Sequence, residues 1–484
     1  MLVRRASMAA AIAMLCIPLS ALADNVSVKT DFSDPSGSPF PSDRFTARDW
    51  AQNTFRRVAL PKPDCAVRPS DCQDIDVINT LDGFSTQPRI TVPFTGDIDV
   101  ATVNSSTVFL INLGDTTTLH GFGHKVGINQ VLWDPASKTL AFESDELLNE
   151  HSRYVLIVTD GVRDASGKRI KPAKFDDDNR KNGRRSDSDE YLRDLRDAAR
   201  VHSSSANKVA AATLFTTQSI SADLQKIMLQ IKHATPAPAS FMVGTTTAGP
   251  VRAVFPVTGI AGIQFNRQIG TAPTFATGFL PTPALNVIAG SVGQIAYGKF
   301  SSPDYETAAK FIPATATRSG TPAVQGTNEL TFQLFVPAGA KPAAGWPVAI
   351  FGHGFTDSMY GAPWTVASVF ASKGVATLSI NVVGHGGGPL GSLNVIRTAD
   401  LPVVIDAGGR GIDQDGNGSI DSTEGSSAAA PRSAIGNRDG LRQTVIDIMQ
   451  LVREVQVGMD VDGDGVPDLD AQRIYYAGQS FGGI

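Results

Sequence analysis

The chain has 484 residues, 42% of them hydrophobic and 18% charged, with a formal net charge of −5. That length predicts two to four domains, the composition describes a soluble globular protein with ample core material, and the acidic balance argues against a nucleic-acid binder. The 46 Gly and 29 Pro favour turns and short strands over long helical bundles.

The N-terminus, "MLVRRASMAAAIAMLCIPLSALADN", sets Arg4 and Arg5 before an apolar run and the small-residue site Ala21-Leu22-Ala23. It reads as a secretory signal peptide over residues 1–23. The run is shorter than the ~20 residues a membrane span needs, and no later segment is long and apolar enough to be a transmembrane span. The mature protein is expected to be exported, to periplasm or medium. Cys16 leaves with the signal. Cys65 and Cys72, in "DCAVRPSDC", are expected to form a disulfide in an oxidising compartment, contributing about 2 kcal/mol because the loop is short.

Residues 24–80 are rich in Pro, Asp and Ser with little periodicity, and read as an extended segment. From 81 to 240 short runs such as "PRITVPFTG", "STVFLINLG", "KTLAFES" and "SRYVLIVTDGV" alternate with turns and predict a β-sandwich. The stretch "DELLNEHSRYVLIVTDGVRDASGKRI" resembles the last strands of bacterial Ig-like modules. Leu192, Leu195 and Ala199 stand at helical spacing, and "ISADLQKIMLQIKHAT" predicts a second amphipathic helix. Residues 241–335 return to short β-runs, either a small β-unit or the lead-in strands of the next domain.

From 336 to 484 the texture changes. "WPVAIFGHGF" is a buried strand ending in a glycine-rich turn. "WTVASVFASKG" is a helix with Gly374 at its end, and "VATLSINVVGHGGG" is a second buried strand. "RDGLRQTVIDIMQLVREVQ" is an amphipathic helix with Leu441, Val445, Ile448, Leu451 and Val452 on one face. "RIYYAG" is a third strand. Strands alternating with helices predict a parallel α/β sheet.

The third strand runs into "AGQSFGGI", which places Ser480 in a G-x-S-x-G pattern between Gly478 and Gly482. In a nucleophile elbow the serine sits on a tight, strained turn, and the flanking positions must be small. Upstream, Gly352-His353-Gly354-Phe355 follows "VAIF". Its glycines let a backbone N–H turn into a site, so the amides of Phe355 and Phe481 are the expected oxyanion donors. His353 is expected to shape that loop rather than act as base, and His385 in "VVGHGGGP" to be structural or substrate-lining. In this fold the order is serine, then acid, then histidine. All seven histidines (His120, His124, His151, His202, His233, His353, His385) precede Ser480. The sequence is therefore expected to be a fragment, inactive as it stands, with its acid and base further on. His120 and His124 in "HGFGH" read as a hairpin rather than a metal site.

Together "GWPVAIFGHGF", "RDGLRQTVIDIMQLVR" and "RIYYAGQSFGG" resemble the bacterial extracellular lipases of the virulence-factor type, in which an Ig-like region precedes an α/β-hydrolase domain. The resemblance implies carboxylic-ester hydrolysis of acyl lipids, with Ser480 as nucleophile, and offers no counterpart for the acid and base. The expected fold is thus multidomain: an N-terminal Ig-like β-sandwich, then an incomplete α/β-hydrolase domain with a parallel sheet. No organic cofactor is expected. Two other readings stand beside it: a calcium-stabilised Ig-like surface or adhesion protein with a vestigial hydrolase part, and another serine hydrolase, a peptidase or polyester hydrolase.

Two acidic loops flank the last helix. "DQDGNGSIDSTE" sets Asp413, Asp415, Asn417, Gly418, Ser419, Asp421 and Glu424 at positions 1, 3, 5, 6, 7, 9 and 12 of an EF-hand-type loop. "DVDGDGVPDLD" sets Asp460, Asp462, Asp464, Gly465 and Asp468, with Ala471 where the glutamate would stand, and resembles the D-x-D-x-D-G acidic repeats of extracellular calcium proteins more than an EF-hand. Both are expected to hold Ca²⁺ and to stiffen the scaffold near Ser480.

Overall fold

The computed structural model describes residues 25–31, 34–172, 187–200 and 208–484. The signal segment and His202 lie outside them. The chain divides into two compact units, residues 1–44 with 85–216, and residues 45–84 with 217–484.

The first unit is antiparallel throughout. One sheet runs in the order Val209–Thr216, Ser152–Thr159, Val108–Asp115, Lys125–Val126, and the other Ile90–Pro93, Thr139–Ser144, Ile128–Asp134. Period-two alternation sends Phe109, Val155, Ile157 and Leu214 to one face, where they pack against Tyr191, Leu195 and Ala198 of the helix Asp187–Arg200. Val108, Leu110, Leu156 and Val158 point the other way and are fully buried, as are Ile90, Val92, Leu140 and Phe142 of the second sheet. Such inner faces make the core of a two-sheet sandwich.

The second unit takes in most of the stretch read as extended. That stretch holds a ten-residue helix, Pro69–Ile78, with Pro69 in its first turn and only Cys72 and Val77 buried. So thin an apolar stripe gives no helical periodicity to read. The sulfurs of Cys65 and Cys72 are 2.00 Å apart, joined as a disulfide.

Two six-stranded sheets follow. One is antiparallel, in the order Gly249–Val251, Gly244–Thr246, Val403–Asp406, Ser392–Arg397, Ile260–Gly270, Thr274–Phe279. The other runs Val254–Pro256, Val292–Asp304, Gly326–Pro337, Ala376–Ile380, Trp346–Gly352, Leu469–Gly478. In it Trp346–Gly352 is parallel to both neighbours, while the remaining pairs are antiparallel. The expected parallel sheet is thus a mixed one, because residues 241–335 supply antiparallel lead-in strands. The parallel pairs have the crossover helices such pairing needs, Ala362–Ala371 and Arg438–Val457.

The two helices cover opposite faces. Trp364, Ala367 and Ala371 pack with Tyr297 and Phe335, whereas Leu451 and Val455 pack with Leu334, Val348, Ile350 and Leu378. The chain leaves Trp346–Gly352 toward one neighbour and returns over the other face to its opposite side. The carboxyl ends of Trp346–Gly352 and Leu469–Gly478 thus lie at a switch point of the strand order, the place where open sheets bind ligands. The whole is a multidomain, mostly β protein with few helices, and no helix among the described residues is long and apolar enough to cross a membrane.

Candidate functional site around Ser480

The site grows from two adjacent strand ends. Gly352 and Gly478 are register partners, and the Gln479 N–H donates to the Gly352 carbonyl at 3.1 Å. The chain then turns sharply: Ser480 has φ +54° and opens a 3₁₀ turn, Ser480–Gly483. A left-handed backbone is costly for a serine. Glycine is required on either side, since a Cβ on Gly478 would lie 1.9 Å from the Gly482 carbonyl oxygen, and one on Gly482 would lie 2.2 Å from that of Gly352.

The 352–355 loop meets this turn. A Cβ on Gly354 would stand 3.7 Å from Ser480 Cβ. The ring centroids of Phe355 and Phe481 are 5.1 Å apart, and His385 lies 5.4 Å and 5.9 Å from them. The structure therefore brings Ser480, Gly354, Phe355, Phe481 and both glycine-loop histidines into one cluster.

The histidines are occupied differently. His353 is fully buried; its Nδ1–H donates to the Gly354 carbonyl at 2.9 Å, and its Nε2 accepts the Val382 N–H at 3.0 Å. Both bonds need the neutral ring, and burial, helped by nearby His385, pushes its pKa down to about 4. It staples the 353–355 loop to the end of the neighbouring strand and has no nitrogen to offer Ser480. His385 donates from Nδ1 to the Val383 carbonyl at 2.9 Å, while its buried Nε2 has no partner; burial lowers its pKa too. No hydrogen bond joins Ser480 Oγ to an imidazole among the described residues. In the first unit His124 and His151 pair with Glu146 and Asp115, each at 2.6 Å.

Beneath the cluster lies a polar layer that sequence reasoning missed. The Arg410 guanidinium stands 2.7 Å from Asp447 and donates to the Asn381 carbonyl at 3.3 Å, while its backbone N–H donates to the His385 carbonyl at 2.8 Å. Asp447 also accepts from Ser302 at 2.6 Å and Gln443 at 2.9 Å. The available signal was an aspartate on the buried side of an amphipathic helix. Nearby Glu306 is buried with one oxygen unpartnered, and burial pushes its pKa up to about 7.

The acidic loops differ. Oxygens of Asp413, Asp415 and Glu424 converge within 4.8 Å of one another. Glu424 accepts the N–H groups of Gln414 and Asp415 at 2.6 and 3.0 Å, Asp413 accepts that of Gly418 at 3.0 Å, and Asn417 accepts that of Ser419 at 2.7 Å. Gly418 has φ +87°. Asp413 Oδ1 is buried without a partner, which fits a Ca²⁺ ligand; Asp421 is not among the converging three. Oxygens of Asp460, Asp462 and Asp464 converge likewise, but there the expected calcium meets a competitor. Lys341 Nζ stands 2.6 Å from Asp468, 3.8 Å from Asp464 and 3.9 Å from Asp462.

Residues 73–176 match the bacterial Ig-like domain family, the region of the antiparallel sandwich. No curated protein matches the sequence. Among solved structures the chain is similar to an acetyl xylan esterase from Paenibacillus sp. R4, at 19% identity over 39% of this chain and 42% of that one, TM-score 0.20. It is similar to an S-formylglutathione hydrolase from Agrobacterium tumefaciens at 14% identity, over 39% and 50%, TM-score 0.18. It is also similar to the N-terminal part of the bacterial S-layer protein SbsC at 13% identity, over 55% and 49%, TM-score 0.17. The chain spans half or less of each of these. Likenesses of this size leave the functional reading to the site's own geometry.

Proposed function

We propose that the second unit is a serine ester hydrolase of the α/β-hydrolase type, lipase-like, acting on acyl esters through Ser480. One observation carries the reading: Ser480 sits at φ +54° between glycines that admit no side chain, with Gly354 of the neighbouring loop against it. Strain of this kind, held at the end of a parallel strand, gathers at functional sites. In the reaction Ser480 Oγ attacks the ester carbonyl, the Phe355 and Phe481 amides hold the developing oxyanion, and a base passes the serine proton to the leaving alcohol. Water then repeats the sequence on the acyl-enzyme. His353, committed at both nitrogens, is a positioning residue for the oxyanion loop and not that base.

The same reading gives the 413–424 loop a Ca²⁺ ion, held by Asp413, Asp415 and Glu424, which would supply rigidity and no chemistry. Chelation should then lower the melting temperature, and an EDTA-insensitive melt would remove the ion from the reading. The Ig-like match favours an exported, surface or extracellular setting, and it also favours the second reading, an Ig-like surface protein with a vestigial hydrolase part.

A fluorophosphonate probe, applied to the full-length gene product, separates the two. Labelling at Ser480, mapped by peptide mass and lost in Ser480→Ala, supports the hydrolase, and p-nitrophenyl esters of graded chain length then rank acyl preference. Equal labelling and hydrolysis in Ser480→Ala would sink the assignment.

A further inference from the structure

The 460–468 loop has the outline of a divalent-cation loop, yet its cation is supplied by the chain itself. We infer that the Lys341 ammonium stands where a metal ion would, so that this loop keeps its shape without metal.

Asp460, Asp462, Asp464 and Asp468 bring four carboxylates into nine residues, an arrangement that repels itself unless a cation is present. Lys341 Nζ is 2.6 Å from Asp468 Oδ1, 3.8 Å from Asp464 Oδ2 and 3.9 Å from Asp462 Oδ2. The other carboxylate oxygens are already turned to backbone donors. Asp460 accepts from the N–H groups of Gly463 and Gly465 at 2.6 and 3.0 Å, and Asp468 Oδ2 accepts that of Val461 at 2.6 Å. Of the three carboxylates whose oxygens converge, Asp460, Asp462 and Asp464, the ammonium faces two, so a calcium ion drawn to Asp462 and Asp464 would have to displace it.

The lysine is held in place by its backbone. Its loop joins Gly326–Pro337 to Trp346–Gly352 and is fastened to the acidic loop where the Trp346 N–H donates to the Asp468 carbonyl at 2.8 Å. Gly345 has φ +82° there, and a Cβ on it would lie 2.8 Å from the same carbonyl oxygen, so the two loops touch backbone to backbone. A second cation completes the arrangement. Arg252 Nη1 donates to the carbonyls of Asp460 and Val461 at 2.9 and 3.1 Å, which ties the start of the acidic loop to a second positive side chain.

Calcium stoichiometry of the metal-stripped full chain, measured by isothermal titration, tests this. Asp464→Asn should leave the number of bound Ca²⁺ unchanged, while Lys341→Met should gain one equivalent and acquire a calcium-dependent rise in melting temperature. Loss of one equivalent in Asp464→Asn would overturn the inference, because the loop would then bind metal with its lysine present. Folded Lys341→Met with unchanged stoichiometry would overturn it as well. Lys341→Gln serves if the methionine variant does not fold. None of these outcomes depends on whether the 413–424 loop binds an ion or Ser480 is a nucleophile.

Discussion

The carbonyl oxygen of Gly352 lies where a side chain on Gly482 would begin: a Cβ there would stand 2.2 Å away. The obstructing atom is backbone of a central strand, so it cannot swing aside. Gly482→Ala should therefore destabilise the second unit by about 3 kcal/mol, at the upper end of overpacking costs. Urea denaturation followed by near-ultraviolet circular dichroism would measure it. A loss below ~0.5 kcal/mol would mean that the turn does not approach Gly352 this closely.

Ser480 itself is expected to cost stability. Its φ of +54° carries a strain of about 1–3 kcal/mol for a residue with a Cβ, which glycine would release. The extra freedom of glycine in the unfolded chain takes back about 0.5–1 kcal/mol. Ser480→Gly should then be more stable than the parent by roughly 1 kcal/mol, and Ser480→Ala should match the parent, while both lose probe labelling. A glycine variant no more stable than the alanine one would show that the turn is unstrained.

His353 predicts an acid limb. Its folded-state pKa of about 4 lies below the ordinary imidazole value of 6.5, so the unfolded chain takes up the proton first as pH falls. Stability from this group is complete above about 6.5, declines toward pH 4, and changes no further below it; the total is on the order of 3 kcal/mol. His353→Phe keeps an aromatic ring, slightly larger than imidazole, and loses both hydrogen bonds. It should be less stable at neutral pH, and its stability should fall by about one proton less between pH 6.5 and 4. An unaltered slope would mean the ring is not held neutral. His385, shifted the same way, keeps a residual slope in the variant.

The turn at Ser480 was legible in advance because its requirements are local. A strained serine needs glycines at fixed offsets, and "GQSFGG" states them in six letters. The helix Arg438–Val457 was harder. Its apolar residues pointed to a face through Leu441, Val445, Ile448, Leu451 and Val452, yet Val445 is exposed while Gln443, Asp447, Gln450 and Glu454 are buried. Burial there is made tolerable by partners far away in sequence, Ser302 and Arg410 among them, and a hydrophobic count cannot see them. Lys341 escaped for the same reason. It lies more than a hundred residues before the acidic loop it serves.

Glu306 gives a slope of the opposite sign. Burial raises its folded-state pKa from 4.5 to about 7, outweighing Lys310, whose ammonium is 3.3 Å away. The unfolded chain therefore releases this proton first as pH rises. Stability from Glu306 is complete below about 4.5 and is lost by the time pH passes 7. Glu306→Gln keeps the shape and cannot ionise, so its stability relative to the parent should improve between pH 4.5 and 8, by up to about 3 kcal/mol. Between 4.5 and 6.5 the parent should show a flattened profile, because the His353 and Glu306 slopes oppose each other there. Chemical denaturation of both proteins at pH 4.5, 6 and 8 would measure the difference; a gap that stays constant with pH would show that Glu306 is already ionised in the folded protein.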